Sequence, residues 1–287
     1  MNIFAVGLRQ ILLFVVLFSF ASTIAAQSAA NSAVSAHAQG IKNAASEPFT
    51  IGENLTYEAE WSKSLLRGVD IADLNFKIVK APEGEGNKLL FQGEAVSKGT
   101  LMKIARFSFM QKIDSTVDAN NFRILHTIRR DEQKDRIRDG EALFDYKSRK
   151  VVYREIDPNN PERAARMITS PLENATHDLL SAIYYLRRQP LAVGKDFELS
   201  VSDSGVIYQI PVKVVAREEL KTVLGKVWTL RVEPEVFGER RLVPGEGRMI
   251  IWFTDDARHL PVRSQIQADI GKIEIKIKQA EGLVAAK

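Results

Sequence analysis

The chain has 287 residues, room for one large β domain or two small ones, and its 45% hydrophobic and 26% charged residues are the balance of a globular protein that can bury a core. Its 40 basic and 36 acidic residues leave a net charge of +4, a thin surplus that does not match a nucleic-acid-binding composition. Cysteine is absent, which excludes disulfides, thiol nucleophiles, Cys-ligated zinc and a lipidated N-terminal cysteine.

Arg9 precedes ILLFVVLFSF (Ile11–Phe20), an apolar run well short of the roughly 20 residues a spanning helix needs. Small residues follow, with Thr23-Ile24-Ala25 and Ser28-Ala29-Ala30 placed as cleavage sites are. This is the order of a secretory signal peptide cut near Ala25–Ala30. Residues 1–26 therefore read as a signal peptide. Residues 27–47, rich in Ala, Ser, Asn and Gln, read as a disordered linker. A single β-rich domain is expected over 48–282, with a tail at 283–287. The mature protein should be periplasmic or secreted, and not integral to a membrane.

Pro48 ends the linker, and GENLTYEAEW opens a strand with Leu55, Tyr57 and Ala59 on one face. VDIADLNFKIVK repeats the pattern with Leu74, Phe76 and Ile78, and APEGEGN (81–87) turns the chain into KLLFQGEAV. RILHTIRR and EALFDY flank a charged stretch, Asp131 to Asp139. KSRK (147–150) turns into VVYREI. Strands FELSV, VIYQIPVKVVA, KVWTLRVEPEV and RMIIWF follow, with turns at SDSG (202–205) and VLGK (223–226); Trp228, Leu230 and Val232 alternate against Thr229, Arg231 and Glu233. Short strands with turn signals every 8–12 residues or so argue for an antiparallel sheet.

One segment departs from this rhythm. In SPLENATHDLLSAIYYLRRQPL (170–191), Leu179, Ile183 and Leu186 recur at helical spacing, predicting a helix over Thr176–Gln189. Ser170-Pro171-Leu172-Glu173 has the form of a capping box, and Thr176 or Asp178 could equally cap a later start. Arg187 and Arg188 suit the last turn, and Pro190 ends the helix.

The most chemical-looking cluster is Asp255, Asp256, Arg258 and His259, in the stretch IWFTDDARHLPVRS. No third metal ligand at a recognised spacing accompanies these residues, and H-E-x-x-H is absent, so a tight turn built on aspartate side chains is the better account. His177-Asp178 has the dipeptide of metal-dependent phosphohydrolases without their further His and Asp residues, and helix capping explains Asp178 better. No G-x-S-x-G elbow, phosphate loop or dinucleotide fingerprint appears.

Taken in order, GENLTYEAEW, HDLLSAIYYLRR, PLAVGKDFEL, LGKVWTLRVEP and IWFTDDARHLPVRSQIQADIGKIEIKI resemble a bacterial family known as domain of unknown function 3108. The resemblance spans Pro48 to about Gly282 and implies an exported, mainly β protein of envelope-bearing bacteria. No activity is assigned to that family, so it implies no catalytic residues.

These readings converge on a mainly β fold, a curled antiparallel sheet or incomplete β-barrel with one main amphipathic helix on its concave side. The expected function is non-catalytic: binding a lipid or other apolar ligand, or an envelope component or protein, with no cofactor, metal or nucleic acid. Tyr184, Ile183, Arg187, Trp228, Leu230 and Trp252 are the expected ligand-binding residues, with the helix as a lid and Arg187 near its mouth. The alternatives are an envelope hydrolase with an unrecognised site, and a structural or interaction protein with a filled core. An outer-membrane barrel fits poorly, because charges punctuate both strand faces.

Overall fold

In NLTYEAEWSK, every second residue is apolar, and β1 (Asn54–Lys63) buries Leu55, Tyr57, Ala59 and Trp61 on one face while the residues between them meet solvent. The structure, a computed structural model, describes residues 47–82, 86–173 and 175–286. The expected signal peptide and nearly all of the linker lie outside the described residues.

Thirteen further strands follow, many with the same alternation: β2 (Leu66–Lys80), β3 (Lys88–Ser97), β4 (Phe109–Asp118), β5 (Ile124–Gln133), β6 (Arg136–Asp145), β7 (Lys150–Ile156), β8 (Arg166–Pro171), β9 (Asp196–Asp203), β10 (Val206–Thr222), β11 (Gly225–Pro234), β12 (Gly247–Thr254), β13 (Pro261–Ala268) and β14 (Gly271–Glu281). A short helix, α1 (Thr100–Ile104), joins β3 to β4, and α2 (Leu179–Arg187) lies between β8 and β9. All the strands belong to one antiparallel sheet, ordered β8-β7-β6-β5-β4-β3-β2-β1-β14-β13-β12-β11-β10-β9. The edge strands β8 and β9 do not pair with each other, so the sheet curls without closing as a barrel. The curled sheet with one main helix is the architecture the sequence predicts.

The two edges nevertheless approach. On β5, Arg129 donates to Asp203 Oδ1 and to Ser204 Oγ, both at 2.9 Å, at the β9–β10 turn. A Cβ at Gly205 in that turn would lie 2.5 Å from Cβ of Tyr153 on β7. Burial raises the Asp203 carboxyl above its ordinary value, although the facing Arg129 opposes the shift.

The charged stretch Asp131–Asp139, expected between strands, is instead strand on both sides of a turn at Lys134–Asp135. Cross-strand pairing permits this: Arg130 meets Asp139 at 3.2 Å and Arg136 meets Asp131 at 3.3 Å. The buried carboxylate of Asp131 also accepts from Gln111 Nε2 at 2.9 Å.

Candidate functional site

Because the sheet curls around it, α2 is the element on which any interior site must be built. Its start is fixed by a reciprocal cap. Asp178 Oδ1 accepts from Ser181 N at 2.8 Å, and Asp178 N donates to Ser181 Oγ at 3.0 Å. The helix therefore begins later than Thr176, and Ser170-Pro171 belongs to β8. The other carboxylate oxygen, Oδ2, accepts from Ser115 Oγ at 2.5 Å and Thr127 Oγ1 at 2.6 Å. Asp178 thus anchors the helix to β4 and β5 from a buried position.

The helix touches apolar walls on two sides. Leu180 and Tyr184 join the larger core, formed chiefly by β1–β7 and β12–β14. Leu179, Ala182 and Leu186 join a second core from β9–β12. On the first side Tyr184 stacks on Phe91 with centroids 4.2 Å apart, and Phe49 meets both rings edge-on. Gly93 on β3 admits the helix: a Cβ there would sit 2.9 Å from Ile113 Cγ2 and 3.3 Å from Leu180 Cδ2. The helix is a plug packed within the curl. Near it, Ile113, Thr127, Phe144, Asp178 and Asp203 border a cavity of about 20 Å³, space for a single water.

Arg187, which helical spacing places on the polar side near a mouth, is instead wholly buried. Its guanidinium donates to both carboxylate oxygens of Glu53, at 2.5 and 2.8 Å, to Pro48 O at 2.9 Å and to Arg258 O at 3.0 Å. The fork is saturated by three partners from two distant segments, so it has become structure, not a ligand contact. Arg188 is the more accessible cation, bonded to Glu47 at 2.9 Å and lying 4.5 Å over the Phe122 ring.

The other expected ligand residues do not gather. Ile183 is half-buried against the larger core, where Trp252 is also buried; the Trp252 indole donates to Glu218 Oε2 at 3.1 Å. Leu230 belongs to the second core. Trp228, expected to face inward with Leu230, is 49% exposed, with Arg217 4.2 Å over its ring. Near the β10–β11 hairpin tip no opposing wall covers that face, so alternation there no longer selects inside from outside. Sequence reasoning missed Glu53, Phe49, Phe91 and Phe122; only the abrupt start of apolar alternation at Glu53 marks any of them.

The acidic cluster forms the expected turn. Asp256 Oδ1 accepts from Arg258 N at 2.9 Å, and its other oxygen pairs with the Arg258 guanidinium at 2.5 Å. These bonds with Arg258, with one from Thr254, outweigh burial and lower the Asp256 carboxyl. His259 points away, its Nδ1 donating to the Arg187 carbonyl at 2.8 Å.

His177 is the group the sequence left least explained. It is 1% exposed, stacks on Tyr185 at 4.1 Å, and neither ring nitrogen has a hydrogen-bond partner among the described residues. Burial first, and then the nearby Arg188, lower its pKa from 6.5 to about 3, so the ring is neutral. On the outer face, carboxylates of Glu58, Glu60 and Asp70 lie within 4.8 Å of one another. Lysines already occupy two of them: Lys98 and Lys278 bond Glu58, and Lys276 bonds Glu60.

No helix among the described residues is long and apolar enough to cross a membrane. Among solved structures, the chain is similar to the β-barrel-like protein of the domain of unknown function DUF1849 from Brucella abortus. That match has 9% identity and a TM-score of 0.55, covering 81% of this chain and 98% of the other. A Bacteroides fragilis protein described as exported and YmcC-like in fold matches with 10% identity and a TM-score of 0.34, over 82% of this chain and 97% of the other. A Parabacteroides distasonis protein described as a lipoprotein matches with 8% identity and a TM-score of 0.30, over 82% and 98%. A search of curated proteins gives no match. The family model described as "Protein of unknown function (DUF3108)" matches residues 56–278, and the chain belongs to that family.

Proposed function

We propose that this protein is an exported, non-catalytic part of the bacterial envelope that binds an envelope component on its outer surface, around a filled interior. The two-sided packing of α2 carries this reading: Leu180 and Tyr184 occupy one wall, and Leu179, Ala182 and Leu186 the other. Space for an acyl chain would have to open where these side chains now sit. The buried polar groups support a non-catalytic role, since Asp178 and Arg187 are saturated by structural partners and His177 has no acid or hydroxyl within bonding distance among the described residues. Export is supported by Arg9, the apolar run Ile11–Phe20 and its small-residue exit.

The test is mass spectrometry of lipids extracted from protein purified from its own envelope, together with the Ile183→Ala variant. The reading expects no stoichiometric lipid, no binding of an apolar fluorescent probe, and a stability loss of about 2 kcal/mol, the low end for such a truncation because Ile183 is only half-buried. Stoichiometric lipid that disappears in Ile183→Ala would replace this reading with a carrier whose cavity opens at the helix.

A further inference from the structure

One end of the sheet combines exposed apolar side chains with cations, three of which have no acidic partner among the described residues. The first part of β2, just after the β1–β2 turn, and the β3–β4 connection carrying α1 meet there: Lys98 N donates to Ile71 O at 2.9 Å. A Cβ on Gly99, whose φ is 93°, would lie 2.3 Å from Asp70 O, so α1 enters pressed against the start of β2. Leu65 is 98% exposed, Ile104 75% and Leu66 40%, while Met102 is buried and holds α1 in place.

Residues 63–68 (KSLLRG) and 97–108 (SKGTLMKIARFS) hold five basic and no acidic residues. Lys98 pairs with Glu58 and Asp73. Arg67, Lys103 and Arg106 are exposed and have no carboxylate within 4.0 Å among the described residues. Lys63 Nζ donates to a backbone carbonyl, that of Asp269, at 2.8 Å. Lys103, Arg106 and Phe107 border an open groove of about 330 Å³, with Lys134 5.8 Å over the Phe107 ring. Elsewhere on the outer face, exposed Ile128 and Leu143 sit among compensated charges, His126 with Glu141 and Arg130 with Asp139.

Apolar tips that protrude from loops beside an excess of cations, with Lys63, Arg67, Lys98, Lys103 and Arg106 outnumbering the neighbouring acids Glu60 and Asp70, match a surface with hydrocarbon just beneath a layer of anions. A folded protein partner would instead favour a closely packed apolar and aromatic centre with the charges confined to its rim. We propose that this end of the sheet docks on an anionic phospholipid membrane, with Leu65, Leu66 and Ile104 entering the headgroup–acyl boundary and Arg67, Lys103 and Arg106 meeting the phosphates. This goes beyond the filled-interior reading and can fail without it.

The test is local, so that the N-terminal segment shared by every variant cannot imitate it. The chain has no cysteine, so Leu65→Cys carries a single environment-sensitive fluorophore, with Ile128→Cys as a distant reference. On vesicles of phosphatidylethanolamine and phosphatidylglycerol the label at 65 should brighten and shift to the blue, and the label at 128 should not. Phosphatidylcholine vesicles should give little response. Lys103→Glu with Arg106→Glu should weaken vesicle binding about tenfold or more, and raising salt should weaken the wild type in the same direction. Ile104→Ser should reduce the shift at 65 without changing the far-ultraviolet spectrum. A label at 65 that stays aqueous on the anionic vesicles, or a charge-reversed variant that binds as the wild type does, overturns the proposal and assigns this end to a protein partner.

Discussion

Acid should weaken this protein through His177, beginning as pH falls below about 6.5. The ring has a pKa of about 3 in the fold and an ordinary value of 6.5 once exposed, so folding favours the neutral form. A depressed folded pKa means that the contribution is fully present above about pH 6.5 and is lost progressively as pH falls toward 3. At pH 5 the unfolded chain binds nearly one proton more at this site, and the loss relative to pH 7.5 is about 2 kcal/mol; below pH 3 it approaches about 5 kcal/mol. The assay is urea unfolding of wild type and His177→Phe at pH 7.5, 6.5, 5.5 and about 5. Phenylalanine keeps the stack on Tyr185 and removes two ring nitrogens without partners, so at pH 7.5 the variant should equal or exceed wild type by about 1 kcal/mol. The gap should widen to about 3 kcal/mol at pH 5. If both proteins lose the same stability between pH 7.5 and 5, His177 is not buried and neutral as described.

Three further outcomes follow from the packing of α2. Glu53→Gln leaves the buried Arg187 without its counter-charge and should cost about 3–5 kcal/mol in urea unfolding, much of it recovered when Arg187→Met is added. Asp178→Ala removes a helix cap and strands the buried Ser115 hydroxyl and that of Thr127, a combined loss of about 3 kcal/mol that Asp178→Asn should only partly restore. Gly93→Ala pushes a methyl group to within 2.9 Å of Ile113 and should destabilise by about 1–3 kcal/mol; an unchanged midpoint would show that the helix does not press on β3.

The strands were legible where one face is covered continuously. Leu55, Tyr57 and Ala59, or Leu74, Phe76 and Ile78, announce themselves because the two faces of those strands meet different solvents. Trp228 shows the limit, since its alternation continues past the point where anything covers it. The helix was legible from its apolar spacing, but three candidate caps preceded it. Asp178 prevails because Ser115 and Thr127, on strands far earlier in the chain, need a buried acceptor. Arg187 was misread for a related reason: its partner Glu53 lies 134 residues away, and no local pattern records an ion pair of that span. His177 was assigned no place, because burial without a hydrogen bond leaves no trace in composition or spacing.

The strand order also carries a timing. Every neighbouring pair in the sheet is joined through a nearby stretch of chain except one: β1 lies against β14, with Asn54 opposite Glu281. The chain can zip β1–β8 and β9–β14 as two separate meanders, each from contacts close in sequence, but the centre of the sheet stays open until its last strand is available. Until then β1 offers a bare row of amides and carbonyls, the kind of edge that recruits the wrong partner. A chain threaded N-terminus first through a pore, or stopped short of β14, is thus held as two half-sheets, and completion waits on residues 271–281.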